Sequence, residues 1–198
     1  LPKYFDKEKV EVRVILPKYM CMKEEWKEKL QYKFQFYMDL NWQQRYVGVF
    51  ELEHEGIKFY FVDNEYYFNG AKPYGDMSYD IEKFAFFSKA ALSVLPLLDF
   101  KPDIIHCHDW QTGLVPVYLD HFGETNEFFR GIKKVMTIHN LKFQGIWDVK
   151  TMQGFTGFDK SLFTPDKLEF KKDANMLKGG LVYADYITTV SDTYANEI

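Results

Sequence analysis

One stretch of this sequence decides the fold: Pro102-Asp103-Ile104-Ile105-His106-Cys107-His108-Asp109-Trp110-Gln111-Thr112-Gly113. A short, largely apolar run ends abruptly in two histidines, an aspartate and a tryptophan, and this pattern predicts a strand whose end, around Cys107, is buried. A helix is expected to follow over about residues 112–122, with Pro116 near its start. In an open parallel sheet, ligands bind beyond the carboxyl ends of the strands, so a site is expected at residues 106–110.

A second strand end repeats this arrangement about thirty residues later. The run Lys134-Val135-Met136-Thr137-Ile138 leads directly into His139-Asn140. If the two strands belong to one parallel sheet, their ends deliver imidazole, carboxylate and amide groups to the same rim. The sequence therefore predicts a polar site built from the ends of two strands.

The rest of the chain alternates between strand and helix patterns. Strands are predicted at 10–16, as a core strand, and at 186–190. The strands 47–52 and 57–62 flank His54-Glu55-Gly56 and predict a β-hairpin. One further strand is expected because every second residue is apolar and these residues share a face: Phe34, Phe36, Met38 and Leu40. The segments 63–79 and 151–165 are expected to be irregular.

Three helices are predicted besides 112–122. Ser78 is expected to cap a helix whose apolar face carries Ile81, Phe84, Ala85, Ser88, Leu92 and Leu95. A second helix covers 173–184; Gly179 and Gly180 each cost about 1 kcal/mol in a helix interior, so they imply close packing. Ser191 is expected to cap a further helix. This alternation predicts an α/β fold, with a Rossmann-like, mostly parallel sheet flanked by helices and an inserted β-hairpin.

Composition and charge argue against several classes of protein. The 198 residues are enough for one α/β domain, and a net charge of −4 without a basic block gives no nucleic-acid footprint. No apolar run approaches the roughly 18 residues of a membrane span, so neither nucleic acid nor membrane is expected as a partner. Cys21 and Cys107 match no zinc spacing, and they indicate reduced thiols in a cytoplasmic protein.

The cluster His106-x-His108-Asp109 allows three interpretations. Two imidazoles and a carboxylate suit zinc or iron, but no third or fourth strong ligand is spaced convincingly. The histidines are also compatible with structural packing at a strand end. A metal-free polar substrate site is the favoured interpretation, with Asp109 either binding sugar hydroxyls or holding a neighbouring histidine tautomer. Trp110 fits a stacking platform or, more simply, a packed hinge.

The second strand end offers complementary hydrogen-bonding groups. His139 can donate a hydrogen bond to a hydroxyl or accept one from it, and Asn140 can do both at once. Neither strand end resembles a Ser-His-Asp or Cys-His nucleophile set, and no glycine-rich phosphate loop is present in the sequence. Tyr74, in an aromatic-rich loop, fits equally a groove lining or an ordered surface loop.

With these residues in view, the chain resembles the bacterial glycogen synthase and starch synthase family of retaining α-glucan glucosyltransferases. Two of the motifs that carry the resemblance are Thr137-Ile138-His139-Asn140-Leu141-Lys142-Phe143-Gln144-Gly145 and Leu177-Lys178-Gly179-Gly180-Leu181. The matching segments, in family order, are 13–19, 84–90, 101–114, 137–145, 177–185 and 188–198. They span nearly the whole chain.

The resemblance implies a fold, a reaction and a set of site residues. The fold is the N-terminal half of a GT-B glycosyltransferase, and the reaction transfers glucose from ADP-glucose to the non-reducing end of an α-1,4-glucan such as glycogen or a maltooligosaccharide, with retention. Catalytic roles fall on His139, at the transferred sugar, and on Asp109, which orients hydroxyls or the acceptor. The expected substrate-binding residues are His108, Trp110, Asn140, Gln144, Gly145 and Tyr74. No metal or other cofactor is expected.

The resemblance also implies that residues 1–198 are a partial N-terminal, acceptor-side domain. The family's first strand, its Lys-x-Gly-Gly loop and its C-terminal nucleotide-binding domain are expected to lie outside this chain, which would then be inactive alone. Two alternatives stay open. One is a UDP-glucose-dependent GT-B enzyme of the sucrose or trehalose type, and the other is a non-catalytic glucan-binding module that uses Tyr66, Tyr67 and Trp110.

Overall fold

The structure is a computed structural model that describes residues 2–198. The chain divides into two compact units. The first comprises the residues up to Asp39 together with Gln43–Asp76, and the second comprises Leu40–Trp42 together with Met77–Ile198. Among the helices of residues 2–198, none combines the length and the apolar character that a membrane crossing requires.

The first unit is built on a four-stranded sheet in the order β1-β4-β3-β2. β1 pairs with β4 in parallel, and β3 pairs with β4 as an antiparallel hairpin. The strands are β1 (Arg13–Pro17), β2 (Gln31–Leu40), β3 (Gln43–His54) and β4 (Ile57–Asp63), with the short helices α1 (Glu24–Lys27) and α2 (Glu65–Phe68) and a 3₁₀ turn at Pro2–Tyr4.

The predicted hairpin and its neighbouring strand are confirmed. Glu55 and Gly56 form the turn with φ of 53° and 71°, as a tight two-residue hairpin connection requires. On β2, the predicted apolar face turns inward, and its last two members, Met38 and Leu40, are buried. The strand predicted at 10–16 is present as β1, but it begins only at Arg13; the prediction that it is a core strand was wrong, because it lies at the sheet edge and leaves Leu16 exposed.

The second unit contains a parallel sheet in the order β10-β6-β5 and a small antiparallel sheet in the order β7-β9-β8. The parallel strands are β5 (Ile104–His108), β6 (Lys133–Ile138) and β10 (Tyr186–Thr189), and the small sheet consists of β7 (Ile146–Asp148), β8 (Glu169–Phe170) and β9 (Asp173–Asn175). The helices are α3 (Met77–Val94), α4 (Val115–Thr125), α5 (Val149–Thr156), α6 (Met176–Tyr183) and α7 (Asp192–Glu197). Strands and helices of this unit confirm the α/β, Rossmann-like prediction.

Helix α3 is the centre of the second unit's core. All six residues of its predicted apolar face are buried, and so are Phe86 and Phe87 on other sides of the helix. The predicted cap was wrong, because α3 begins at Met77 and Ser78 already lies inside the first turn. The buried pair Asp80–Lys83, with a 2.5 Å separation, occupies that end of the helix.

The close approach of α6 to the segment after β5 confirms the interpretation of its glycines. A Cβ on Gly180 would lie 3.0 Å from the Gly113 Cα, and one on Gly179 would lie 3.1 Å from the Leu168 side chain. A side chain larger than that of glycine at either position would push α6 away from the turn that carries the predicted site. Ser191 caps α7 as predicted, since its hydroxyl accepts the Tyr194 N–H at 3.1 Å.

Three segments differ from prediction. The stretch expected to be irregular contains α5, which Asp148 caps and which Gly157 ends with a φ of 71°. The helix expected at 173–184 begins only at Met176, because residues 173–175 pair as β9 and Asn175 serves as the N-cap. The polar loop at 63–79 contains α2 and the start of α3.

Candidate functional site

The two predicted strand ends lie side by side. β5 and β6 are parallel neighbours with His108 opposite Thr137, and the Asp109 N–H donates to the Thr137 carbonyl at 3.0 Å. The polar groups that follow each strand therefore share one rim, as the sequence predicted.

Asp109 turns the chain out of β5 with a strained backbone. Its φ of 55° and ψ of −172° lie in a region that is essentially reserved for glycine and costs other residues about 1–3 kcal/mol. A short 3₁₀ turn at Trp110–Thr112 follows, and the Thr112 N–H donates to the Asp109 carbonyl at 3.2 Å. This strained conformation directs the Asp109 side chain toward the end of the neighbouring strand.

The Asp109 carboxylate binds the backbone that follows β6. One of its oxygens accepts the N–H of His139 at 2.7 Å and that of Asn140 at 3.2 Å. Hydrogen bonds to a charged acceptor are the strong ones in proteins. Asp109 thus holds the second strand end in register with the first through one of its carboxylate oxygens.

Two histidines meet across the rim. The His108 Nδ1 lies 3.0 Å from the His139 Nε2, so one ring donates and the other accepts. Burial, followed by the nearby His106 and His139, lowers the pKa of His108 to about 4. His108 is therefore neutral near pH 7. The side chains of His139 and Asn140 lie in an exposed stretch.

A chain of hydrogen bonds crosses all three parallel strands beside this pair. The His106 Nε2 lies 2.6 Å from the Thr137 hydroxyl, which lies 2.6 Å from the Thr188 hydroxyl. Partial burial and then His139 lower the pKa of His106, and its ring stacks at 4.3 Å on that of His108. Sequence reasoning missed both threonines, although they occupy the same relative position in β6 and β10.

The loop after Asn140 is anchored to the start of α6. The Gln144 side chain donates to the Leu141 carbonyl at 3.0 Å and accepts from the Asn175 amide at 2.7 Å. The first N–H groups of α6, at Met176 and Leu177, donate to the carbonyls of Gly145 and Gln144. Gln144 therefore shapes the loop through hydrogen bonds within the protein.

Trp110 and Gly145 pack against each other beneath the rim. Trp110 is 4% exposed and meets Phe84 edge-on at 5.1 Å between ring centroids. Gly145 has a φ of 63°, and a Cβ there would lie 2.4 Å from the indole ring. These contacts favour the packed-hinge interpretation of Trp110. Tyr74 belongs to the first unit and is 56% exposed, and its role in substrate binding stays a prediction.

The site offers polar groups rather than a metal cage. Within residues 2–198, no three side chains of the types that bind metals converge on one point. The Asn140 side-chain oxygen accepts the Lys142 N–H at 3.0 Å, which leaves its amide N–H groups available to a ligand. Imidazole and amide groups at an accessible rim suit the recognition of a ligand rich in hydroxyl groups.

The fold and the candidate site define a Rossmann-like α/β arrangement in the second unit, with polar side chains at its strand ends. The whole chain, residues 1–198, matches the family model for the starch synthase catalytic domain. The chain belongs to this family, and the resemblance seen in the sequence is confirmed.

Curated relatives and a solved structure agree with this assignment. The chain is 63% identical over 198 residues to the glycogen synthase of Lachnoclostridium phytofermentans and 64% identical to that of Lachnospira eligens. It covers 41% of the length of each. The catalytic domain of starch synthase IV from Arabidopsis thaliana, solved with ADP and acarbose bound, matches with a TM-score of 0.80 at 30% identity, over 96% of this chain and 40% of that one.

Proposed function

We propose that the protein containing this chain transfers glucose from ADP-glucose to the non-reducing end of an α-1,4-glucan, with retention of configuration. The observation that carries the proposal is the joined pair of strand ends, where the Asp109 carboxylate holds the backbone of His139 and Asn140. The glycogen synthase relatives support the activity, and the ADP and acarbose bound to the plant starch synthase support a nucleotide sugar and a glucan as substrates.

In this proposal the site residues have distinct tasks. His139 hydrogen-bonds a hydroxyl of the transferred glucose, and Asn140 offers its amide N–H groups to the same sugar or to the acceptor. Asp109 orients both through their backbone. Trp110 and Gly145 keep the rim in place from below, and Gln144 shapes the adjoining loop.

The transition state explains why this rim alone is not sufficient. A glucosyl cation-like centre forms while negative charge grows on the leaving diphosphate, and fixed positive groups must meet that charge. Retention without a protein nucleophile fits attack on the same face, with the leaving phosphate helping to deprotonate the acceptor hydroxyl. We infer that a second domain supplies the nucleotide pocket and the positive groups, and that residues 1–198 form part of the acceptor-side, N-terminal domain.

We propose further that the protein is cytoplasmic, that it uses neither metal nor cofactor, and that it binds neither nucleic acid nor membrane. The net charge of −4 supports the absence of a nucleic-acid role. Initial rates with and without a chelator test the metal-free chemistry, and unchanged rates are expected. A loss of transfer that added Mg²⁺ or Zn²⁺ restores would contradict it.

The experiment that tests the function uses the full-length protein with glycogen and a labelled donor. Incorporation of glucose from ADP-glucose, with slower incorporation from UDP-glucose, is expected. Residues 1–198 alone are expected to give none. Preferential use of UDP-glucose would favour the sucrose- or trehalose-type alternative, and retention on immobilised glycogen without transfer from either donor would favour a binding module.

A further inference from the structure

The backbone and the ring of His139 are held by different residues. Asp109 accepts the His139 N–H at 2.7 Å, which places the backbone but leaves the side-chain torsions free. The ring itself contacts His108, whose Nδ1 lies 3.0 Å from the His139 Nε2. The orientation of the imidazole toward a sugar therefore depends on His108.

The contact also couples the tautomers of the two rings. If His108 Nδ1–H donates, then both rings carry their proton on Nδ1; if His139 Nε2–H donates, then both carry it on Nε2. An imidazole side chain in water prefers the Nε2–H form, so the second arrangement places both rings in their favoured tautomer. In that arrangement His139 keeps an unprotonated Nδ1, which is a hydrogen-bond acceptor for a hydroxyl.

His108 is itself held in place from both sides. The Thr112 hydroxyl places its backbone by accepting the His108 N–H at 2.7 Å, and the neighbouring His106 ring, at 4.3 Å between centroids and a tilt of 34°, restrains its side chain. The His106 ring contacts the Thr137 hydroxyl, which in turn contacts the Thr188 hydroxyl. The three strands thus present His108 as a fixed partner rather than a mobile ligand-binding side chain.

We propose that His108 is a positioning residue, which accepts the Nε2–H of His139 and so leaves the His139 Nδ1 as the acceptor for a hydroxyl of the transferred glucose. This role rests on the proposed glucosyl transfer, and it differs from direct substrate binding by His108. It requires that the effect of His108 pass through His139.

Kinetics of the full-length protein test this coupling. His108→Leu removes the acceptor at similar volume and is expected to lower kcat/KM about tenfold, the loss that corresponds to one orienting hydrogen bond. His108→Asn, whose side-chain oxygen lies near the position of Nδ1, is expected to recover most of that loss. The exposed His121 on α4 gives the matched control, since His121→Leu and His121→Asn should both leave kcat/KM unchanged.

A double-mutant cycle separates positioning from general structural damage. In a His139→Ala background, His108→Leu is expected to have almost no further effect on kcat/KM. A second tenfold loss in that background, or an Asn variant as impaired as the Leu variant, would overturn the proposal. Equal thermal midpoints of the Leu and Asn variants would show that the kinetic difference does not come from unfolding.

The ring tautomer provides a readout that does not depend on transfer activity. Histidine-selective ¹⁵N labelling and two-bond ¹H–¹⁵N correlation of the full-length protein at neutral pH, with His139→Ala as the assignment control, are expected to show His139 protonated at Nε2. A proton on Nδ1 would overturn the proposal. An inactive wild-type protein with the expected tautomer would refute the proposed function and leave the His108–His139 arrangement standing.

Discussion

The strained backbone of Asp109 predicts that glycine is a less destabilising replacement there than alanine, which reverses the usual order of these two substitutions. Both Asp109→Ala and Asp109→Gly remove the hydrogen bonds to the N–H groups of His139 and Asn140, a loss of about 2–3 kcal/mol for a half-buried carboxylate. Only alanine keeps the strain of a φ of 55° with a ψ of −172°, which is about 1–3 kcal/mol. Glycine loses about 0.5–1 kcal/mol more backbone entropy on folding. Asp109→Gly should therefore be more stable than Asp109→Ala by up to about 2.5 kcal/mol.

Urea unfolding followed by far-UV circular dichroism measures this difference in the free energy of unfolding. Asp120, inside α4 and exposed, provides the matched control. There Ala should be more stable than Gly by about 1 kcal/mol, because glycine disfavours a helix interior. If Asp109→Ala were as stable as Asp109→Gly or more so, while the Asp120 pair kept its normal order, the assignment of backbone strain to Asp109 would be refuted.

Three further predictions concern packing, thiol reactivity and pH. Gly180→Ala should destabilise the fold by up to about 2 kcal/mol in urea unfolding, because crowding of its Cβ against the Gly113 backbone at 3.0 Å costs about 1–3 kcal/mol and alanine regains only about 1 kcal/mol in a helix interior. A midpoint above that of wild type would contradict that packing. In the native protein a thiol reagent should label the exposed Cys21 and spare Cys107, because burial raises the pKa of the Cys107 thiol to about 12. Mass spectrometry would detect any early labelling of Cys107. Burial and two neighbouring imidazoles lower the pKa of His108 to about 4. The contribution of the neutral ring to the free energy of unfolding is therefore complete above pH 6.5 and is lost as the pH falls toward 4. Allowing for solvent screening, that loss is about 1–2 kcal/mol, and a wild-type protein that lost no more stability than His108→Asn between pH 7 and 5 would contradict it.

The grouping of the site residues could be predicted from the sequence because it follows from topology. Two β-branched runs that each end in polar residues imply neighbouring parallel strands, and that alone brings His108 and Asp109 close to His139 and Asn140. The hairpin was equally predictable, since Glu55-Gly56 between two apolar runs is a local signal.

The details that shape the site depend on contacts between distant parts of the chain. The glycine-like backbone of Asp109 has no local signal, because its strain is balanced by hydrogen bonds to residues thirty positions away. The alignment of Thr137 with Thr188 depends on the register of β6 and β10, which the sequence pattern does not specify.

Segment 173–184 shows the same limit in secondary structure. Its helical pattern extends back to Asp173, but pairing with Ile146–Asp148 holds its first three residues as a strand. Pairing with a distant strand overrides the local preference of these residues for a helix, because helix propensity is a weak effect.

The measurement that tests the central claim most directly is the initial rate of glucose transfer from ADP-glucose to glycogen by the full-length protein, as wild type, His139→Ala and His121→Ala. Loss of an interaction with the reacting sugar should lower kcat/KM in His139→Ala by about a hundredfold or more, with unchanged thermal stability, whereas His121→Ala should match wild type. Unchanged transfer by a folded His139→Ala would contradict the claim, because the joined ends of β5 and β6 would then be scaffold and the chemistry would lie elsewhere.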